Sequence, residues 1–384
     1  MERPNRDIYV KSDSFESIAG DMPGGTEALE RVARLAAGLD GEGLTPERHE
    51  VVAKACRALT EQAAADEPAF SLKPHIVEEI RRIDDADLAR YLHYRYRYDV
   101  YPATHQLDAF PPCVQIEPTS ICNYRCVFCY QTDRGFTQGR HGHMGMMDLD
   151  TFKTVVDQIE GEVEAVTLAS RGEPLMCREI KGMLEYLQGK FLGLKMNTNA
   201  WFLTEDLAHT ILQTGLNTLV FSVDAAEPEL YARLRVNGKL ERVLENIKMF
   251  SEIKRKHYPD SRLITRASGV HFSDEQDFDQ MQEFWSTYVD QVAFVDYNPW
   301  ENAYEAPPRD ITEPCSDLWR RMFVWWDGRA NPCDVDYKSH LAVGTAGDLT
   351  VSDLWRSEAY ETLRRRHLAG ERGALSPCSG CAVV

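Results

Sequence analysis

Cys113-Val114-Gln115-Ile116-Glu117-Pro118-Thr119-Ser120-Ile121-Cys122-Asn123-Tyr124-Arg125-Cys126-Val127-Phe128-Cys129 is the stretch on which the reading of the chain turns. An apolar run ends at Glu117-Pro118, which predicts a short buried strand over Val114 to Pro118 and a loop after it. The loop carries three cysteines in a CxxxCxxC spacing. Three thiolates on so short a loop can ligate three irons of a [4Fe-4S] cube and leave the fourth iron open to chelate an amine and a carboxylate. A structural zinc site is the alternative, with His141 or His143 as its fourth ligand.

Downstream, short apolar runs alternate with helix-length segments. Strands are predicted at Ala165 to Ser170, Leu194 to Asn199, Thr218 to Val223, Leu263 to Ser268 and Gln291 to Val295. Between them lie Leu149 to Gly161, Arg178 to Gln188, Glu205 to Gln213, Leu240 to His257 and Asp274 to Tyr288, read as helices. Six strand-helix repeats imply a parallel sheet, curved or closed, with its chemistry at the C-terminal ends of the strands. Glu117, Ser170-Arg171, Asn197 to Asn199, Ser222, Asp224 and Arg266 are the polar residues expected there.

Upstream, residues 1–110 read as helical. Thr26 is placed as a cap, Thr45-Pro46-Glu47 opens a second helix, and a third runs from Pro74 through Leu88 and Leu92. That third helix ends in the aromatic-basic run Tyr91 to Tyr98, read as a packed amphipathic helix end or a stacking surface. Beyond Pro314, Met322 to Trp326 and Arg329 to Cys333 flank Asp327-Gly328 as a hairpin. Asp353 to His367 reads as a helix, and a cysteine-bearing tail follows.

The net charge of -18 argues against nucleic acid as a main partner. The charged N-terminus, Met1 to Asp7, leads into no apolar signal region, and no run approaches the length of a bilayer span. A cytoplasmic protein without membrane attachment is expected. Its 10 cysteines are then better read as metal ligands or catalytic thiols than as disulfides.

At Cys122, Cys126 and Cys129 the sequence resembles the radical S-adenosylmethionine (SAM) superfamily, whose signature is this spacing after the first strand of a partial (β/α)6 TIM-like barrel. Ser170-Arg171-Gly172-Glu173-Pro174 resembles the family's GGEP motif, with Ser-Arg in place of its first glycine. The resemblance implies cofactor contacts at Phe128, Gly172 and Glu173. Asn197 to Asn199 and the Ser222-Val223-Asp224 segment resemble motifs facing the cofactor's ribose and carboxylate, and Arg235 resembles an arginine that pairs with the carboxylate. It also implies reductive cleavage of S-adenosylmethionine to a 5′-deoxyadenosyl radical that takes hydrogen from substrate.

Cys315, Cys333, Cys378 and Cys381 form a second set, able to close the coordination sphere of zinc or of a [4Fe-4S] cluster. With Asp327-Gly328, Gly344, Leu354-Trp355 and Pro377, the layout resembles the SPASM and twitch modules. Only four cysteines are present, which resembles the shorter, single-cluster form. The expected division is 1–110 helical, 111–310 barrel and 311–384 auxiliary-cluster module, with two [4Fe-4S] clusters and S-adenosylmethionine as cofactors. A closed cluster suits electron transfer, so the expected reaction is dehydrogenation of a hydroxyl on a sugar or aminocyclitol-like molecule, with flavodoxin or ferredoxin as reductant. Epimerisation, elimination and peptide modification are the other radical outcomes, and a zinc or iron-sulfur scaffold is the non-catalytic alternative. Cys177 as a hydrogen donor, Asp334 or Asp336 as a base, and Glu117, Arg171, Arg266 and Tyr297 as contacts are expected by position. The loop His141 to Met147 is read as a mobile cover or a metal site.

Overall fold

A computed structural model describes residues 15–17, 25–61 and 70–384; the charged segment Met1 to Asp7 lies outside them. Six parallel strands form the body: β1 (Cys113–Ile116), β2 (Ala165–Leu168), β3 (Gly193–Thr198), β4 (Thr218–Ser222), β5 (Ile264–His271) and β6 (Gln291–Asp296). They lie in chain order from β1 to β6, each hydrogen-bonded to the next. The result is the α/β, partial (β/α)6 barrel expected, because each crossover helix carries one apolar stripe and must bury it against the sheet.

Local chemistry sets the helix ends. Asp148 caps the helix Leu149–Ile159 by accepting from Thr151 N at 2.8 Å, and Asp277 caps Phe278–Ser286 through Gln280 N at 2.9 Å. Thr204 caps Glu205–Thr214, which stops at Gly215 with φ 78°. Leu240–His257 forms over the full predicted range.

The C-terminal strands continue the same sheet. β7 (Arg321–Val324) pairs parallel with β1 on the side away from β2, and β8 (Arg329–Asn331) and β9 (Gly344–Thr345) follow antiparallel. Leu318, Trp319, Met322, Val324 and Trp355 join the core of the barrel. At the other edge, Phe15–Ser17 pairs antiparallel with β6, a strand the sequence did not suggest.

The N-terminal helices Gly25–Gly38, Pro46–Thr60, Pro74–Arg82 and Leu88–Thr104 build their own core, which reaches the sheet at Cys113 and Ala165. Thr26 lies inside the first helix rather than capping it. The third predicted helix is two, because Ile83 and Asp84 are extended before a short turn at Asp85–Asp87. In the C-terminal module the helix expected over Asp353 to His367 also splits, into Val351–Trp355 and Glu358–Leu368. Ser357 caps the second by accepting from Tyr360 N.

Candidate active site

The loop after β1 is held from three sides. Gly172 packs so closely on it that a Cβ there would lie 2.3 Å from Thr119 O and 2.6 Å from Ile121 O. Only glycine fits, which is the physical content of the Gly-Glu-Pro motif. Trp300 Nε1 donates to Phe128 O at 2.7 Å, and the Phe128 ring meets Phe272 at 5.5 Å. Arg125–Cys126 pairs antiparallel with Arg235–Val236, which sets Cys126 opposite Arg235. The Arg235 guanidinium lies 3.8 Å from Cys126 Sγ and 2.5 Å from the carboxylate of Asp224, which is fully buried.

No thiol of the loop is in a disulfide. Burial pushes Cys122 up to about 12 and Cys126 up to about 11, with Cys129 pushed up as well. Such thiols stay protonated and inert unless a strong Lewis acid takes the proton's place, as metal ligation does. Tyr124 N donates to Cys122 Sγ at 3.4 Å, so one sulfur already receives backbone support.

The polar residues expected around the loop divide into two groups. Glu173 accepts from Thr198 Oγ1 at 2.6 Å, Asn199 N at 2.7 Å and Leu175 N at 3.1 Å, so it ties the ends of β2 and β3 together. Asn199 donates to Asn123 Oδ1 at 2.9 Å, beside Cys122. Asp224 accepts from Val270 N at 2.6 Å as well as pairing with Arg235. Asn197 Oδ1 is different: it is buried with no hydrogen-bond partner among the described residues, and Ser222 is half-buried on the next strand. An orphaned acceptor at a strand end is what a bound ligand's donor would satisfy.

Several positional expectations change. Arg171 forks onto Glu117 at 2.6 and 2.7 Å, donates to Tyr337 O at 2.8 Å and stacks on Trp325 at 4.2 Å, so this buried pair fastens the C-terminal module to the barrel. Arg266 sits near the start of β5, because that strand runs on to His271 instead of stopping at Ser268; it faces the opposite end of the barrel. Asp336 accepts from Tyr304 OH, His340 N, Leu341 N and Asn331 Nδ2 and so organises its own loop. The end of the His141 to Met147 loop is pinned, with Trp326 Nε1 donating to His143 O and Met147 N to Pro118 O. Cys177 is buried in the barrel core, and Tyr297 bonds Glu301.

Cys315, Cys333, Cys378 and Cys381 line one small cavity with His367 and Arg372. Burial pushes Cys315 up to about 12 and raises Cys333 and Cys378 as well. The fully buried Arg372 donates to Val383 O at 2.9 Å and Cys381 O at 3.1 Å, which seats the tail and places a cation beside the four sulfurs. Among the described residues no three His, Cys, Asp or Glu side chains are spaced for a single metal ion.

The two cysteine sets approach each other through aromatics. Tyr130 follows Cys129, Tyr337 lies four residues after Cys333, and their rings stack at 4.9 Å. Trp300, Tyr304, Tyr337, His367 and Arg372 carried no motif that would single them out in the sequence.

The family profile described as the radical SAM superfamily matches residues 116–284, and that of an iron-sulfur cluster-binding domain, SPASM, matches 315–382. The chain is a radical SAM protein with a C-terminal SPASM domain. The cofactors of these two domains are S-adenosylmethionine and [4Fe-4S] clusters, and the unbridged thiols, half-buried except for the buried Cys126, fit them. Among relatives, the GTP 3′,8-cyclase of Hydrogenovibrio crunogenus is 27% identical over 35% of this radical SAM chain and 40% of its own length. That of Limosilactobacillus fermentum is 22% identical over 73% of the chain and 75% of its own. The first relatives are thus matched over less than half of their length. Streptococcus suis SuiB, solved bound to its precursor peptide SuiA, aligns with a TM-score of 0.56 at 14% identity over 93% of this chain and 82% of that one, a likeness of fold. Among the described residues no helix is long and apolar enough to cross a membrane.

Proposed function

We propose that this radical SAM enzyme dehydrogenates a hydroxyl-bearing small molecule of the sugar or aminocyclitol type. Cys122, Cys126 and Cys129 would hold the cluster with the open iron, and Cys315, Cys333, Cys378 and Cys381 the closed one. When bound, S-adenosylmethionine on the reduced open cluster supplies a carbon radical able to take a hydrogen atom from an unactivated C–H bond, and the closed cluster supplies an electron acceptor. The observation that carries the reading is the second cysteine set: four thiols line one small cavity, and a cluster they closed would have no iron left for substrate.

Oxidising a carbinol to a ketone removes one hydrogen atom, one proton and one electron, so an acceptor that binds no substrate matches the stoichiometry. The chain's own residues do the positioning. Arg235 and Asp224 fix Cys126 from below, and Gly172 and Glu173 lock the β2 loop against it. Asn197, Asn199 and Ser222 would receive the cofactor's ribose, with Phe128 and Arg235 beside its other groups. The stacked Tyr130 and Tyr337 keep the two cysteine loops in fixed relation. The division near residues 110 and 310, the cytoplasmic location, and flavodoxin or ferredoxin as electron donor belong to the same proposal.

The test is turnover of a panel of deuterated sugars and aminocyclitols under anaerobic reducing conditions. Dehydrogenation moves one deuterium per product into 5′-deoxyadenosine and leaves no solvent hydrogen on carbon. Solvent hydrogen at an inverted centre would show epimerisation instead.

A further inference from the structure

The other end of the barrel also has the makings of a site. Between the strand starts and the N-terminal helices lies a cavity of about 400 Å³, within the size range of small-molecule pockets. Its lining carries six cationic side chains, Lys73, Arg95, Lys195, Arg266, Arg320 and Arg321, against two acids, Glu79 and Asp99. This excess of positive charge sits inside a chain whose net charge is -18.

The cations come from five separate parts of the fold, with Lys73 just before the helix Pro74–Arg82 and Arg320 adjoining Arg321. Lys195 lies on β3, Arg266 on β5, Arg321 opens β7, and Arg95 belongs to the helix Leu88–Thr104. Some are satisfied within the protein: Arg95 by Asp99 at 2.9 Å, and Arg266 by Gln291 Oε1 at 2.6 and 2.8 Å. Arg321 donates to Tyr98 OH at 2.5 Å and lies 3.4 Å from the buried carboxylate of Asp317, which also sits 3.6 Å from Arg320, and the guanidiniums of Arg95, Arg320 and Arg321 all lie within 5.3 to 5.7 Å of the Tyr98 ring. Lys195 has no hydrogen bond or ion pair among the described residues. Burial, then Arg266 and Arg321, lowers it to about 8. His75 is pushed down to about 3, by burial first and then by Arg95, Arg266, Lys73 and Lys195. In both, burial is the larger cause and the neighbouring cations add to it, and an anion would relieve the cationic part.

We infer that this floor cavity binds a phosphorylated small molecule through its phosphate, with Lys195 as the central contact and Arg266 and Arg321 beside it. Guanidinium groups and an ammonium converging on one space match the several acceptor oxygens of a phosphate. The site stands at the strand starts, whereas the cysteine loop follows the strand end, so it is separate from the radical chemistry and does not depend on it.

The experiment uses the full chain, purified anaerobically, with inorganic phosphate, pyrophosphate and AMP titrated calorimetrically at fixed ionic strength. At least one is expected to bind saturably, and Lys195→Met to weaken it at least tenfold while leaving cleavage of S-adenosylmethionine unchanged. Binding to phosphate or pyrophosphate alone points to a free ion, and tighter binding of AMP to a phosphate ester. As a check that needs no variant, the bound anion should protect Lys195 of the wild-type protein from reductive methylation, read by mass spectrometry. Equal affinity in the variant, or no saturable binding together with undiminished methylation, would overturn the inference.

Discussion

The carboxylate of Asp224 lies 2.5 Å from the guanidinium of Arg235, and that guanidinium lies directly behind Cys126 Sγ at 3.8 Å. A strand-end acid thereby orients the cation that faces a cluster thiol. Arg235→Gln leaves the Asp224 carboxylate buried and unpaired, a change worth about 3–5 kcal/mol. The double variant with Asp224→Asn removes the stranded charge and should recover at least half of that loss. Anaerobic chemical denaturation of the four proteins of the cycle measures it; additive losses would show that the two residues do not act as a pair.

Gly172→Ala inserts a methyl group 2.3 Å from a backbone oxygen of the cysteine loop, where no flexible side chain can yield. The loop must move. Iron bound at the first cysteine set should fall to a minor fraction while the second set keeps its content. Full iron at both sets would show that the loop tolerates displacement.

His367 is poised toward the second cysteine set. Its Nδ1 accepts from Cys315 N at 3.2 Å, which leaves Nε2 to carry the ring's proton, and Nε2 is buried without a partner among the described residues. A ring N–H that reached cluster sulfur would stabilise the more negative, reduced state. His367→Phe should lower the potential of the auxiliary cluster by on the order of 50 mV, where 59 mV is tenfold in a one-electron equilibrium. Redox titration followed by electron paramagnetic resonance reads it, and an unchanged potential would remove His367 from that role.

His93 couples stability to acidity. Burial, aided by Arg97 and Arg48, lowers its pKa to about 3 from an ordinary value near 6.5. Above pH 6.5 it is neutral whether folded or unfolded and costs nothing. Between pH 6.5 and 3 only the unfolded chain takes the proton, so stability falls as pH falls, with a limiting slope of about 1.4 kcal/mol per pH unit from this group. His93→Gln should flatten that part of the profile by the same slope. An unaltered profile would show that the ring charges in place.

Much of this was legible in the sequence because periodicity and punctuation are local. Leu240 to His257 declares itself by an apolar stripe, and Gly172 by the motif around it. What sequence reading missed depends on partners far along the chain. Glu117 and Arg171 read as two polar strand ends, yet each is the other's partner across 54 residues. Arg266 was assigned to the wrong end of the barrel because nothing in Ile264–His271 marks where the strand stops. The breaks at Ile83 and Ser357 fall where short polar segments compete with helix continuation. The cationic floor cavity draws its charges from five distant segments, each ordinary when read alone.

The central claim is that two distinct cysteine sets hold two iron-sulfur cubes, only the first of which serves S-adenosylmethionine. Iron and 5′-deoxyadenosine should be measured together in the anaerobically reconstituted chain and in Cys126→Ala. Wild type should hold about eight irons and form 5′-deoxyadenosine under strong reductant, while the variant keeps about four and forms none. Stoichiometric zinc in place of iron, or undiminished 5′-deoxyadenosine from the variant, would contradict the account.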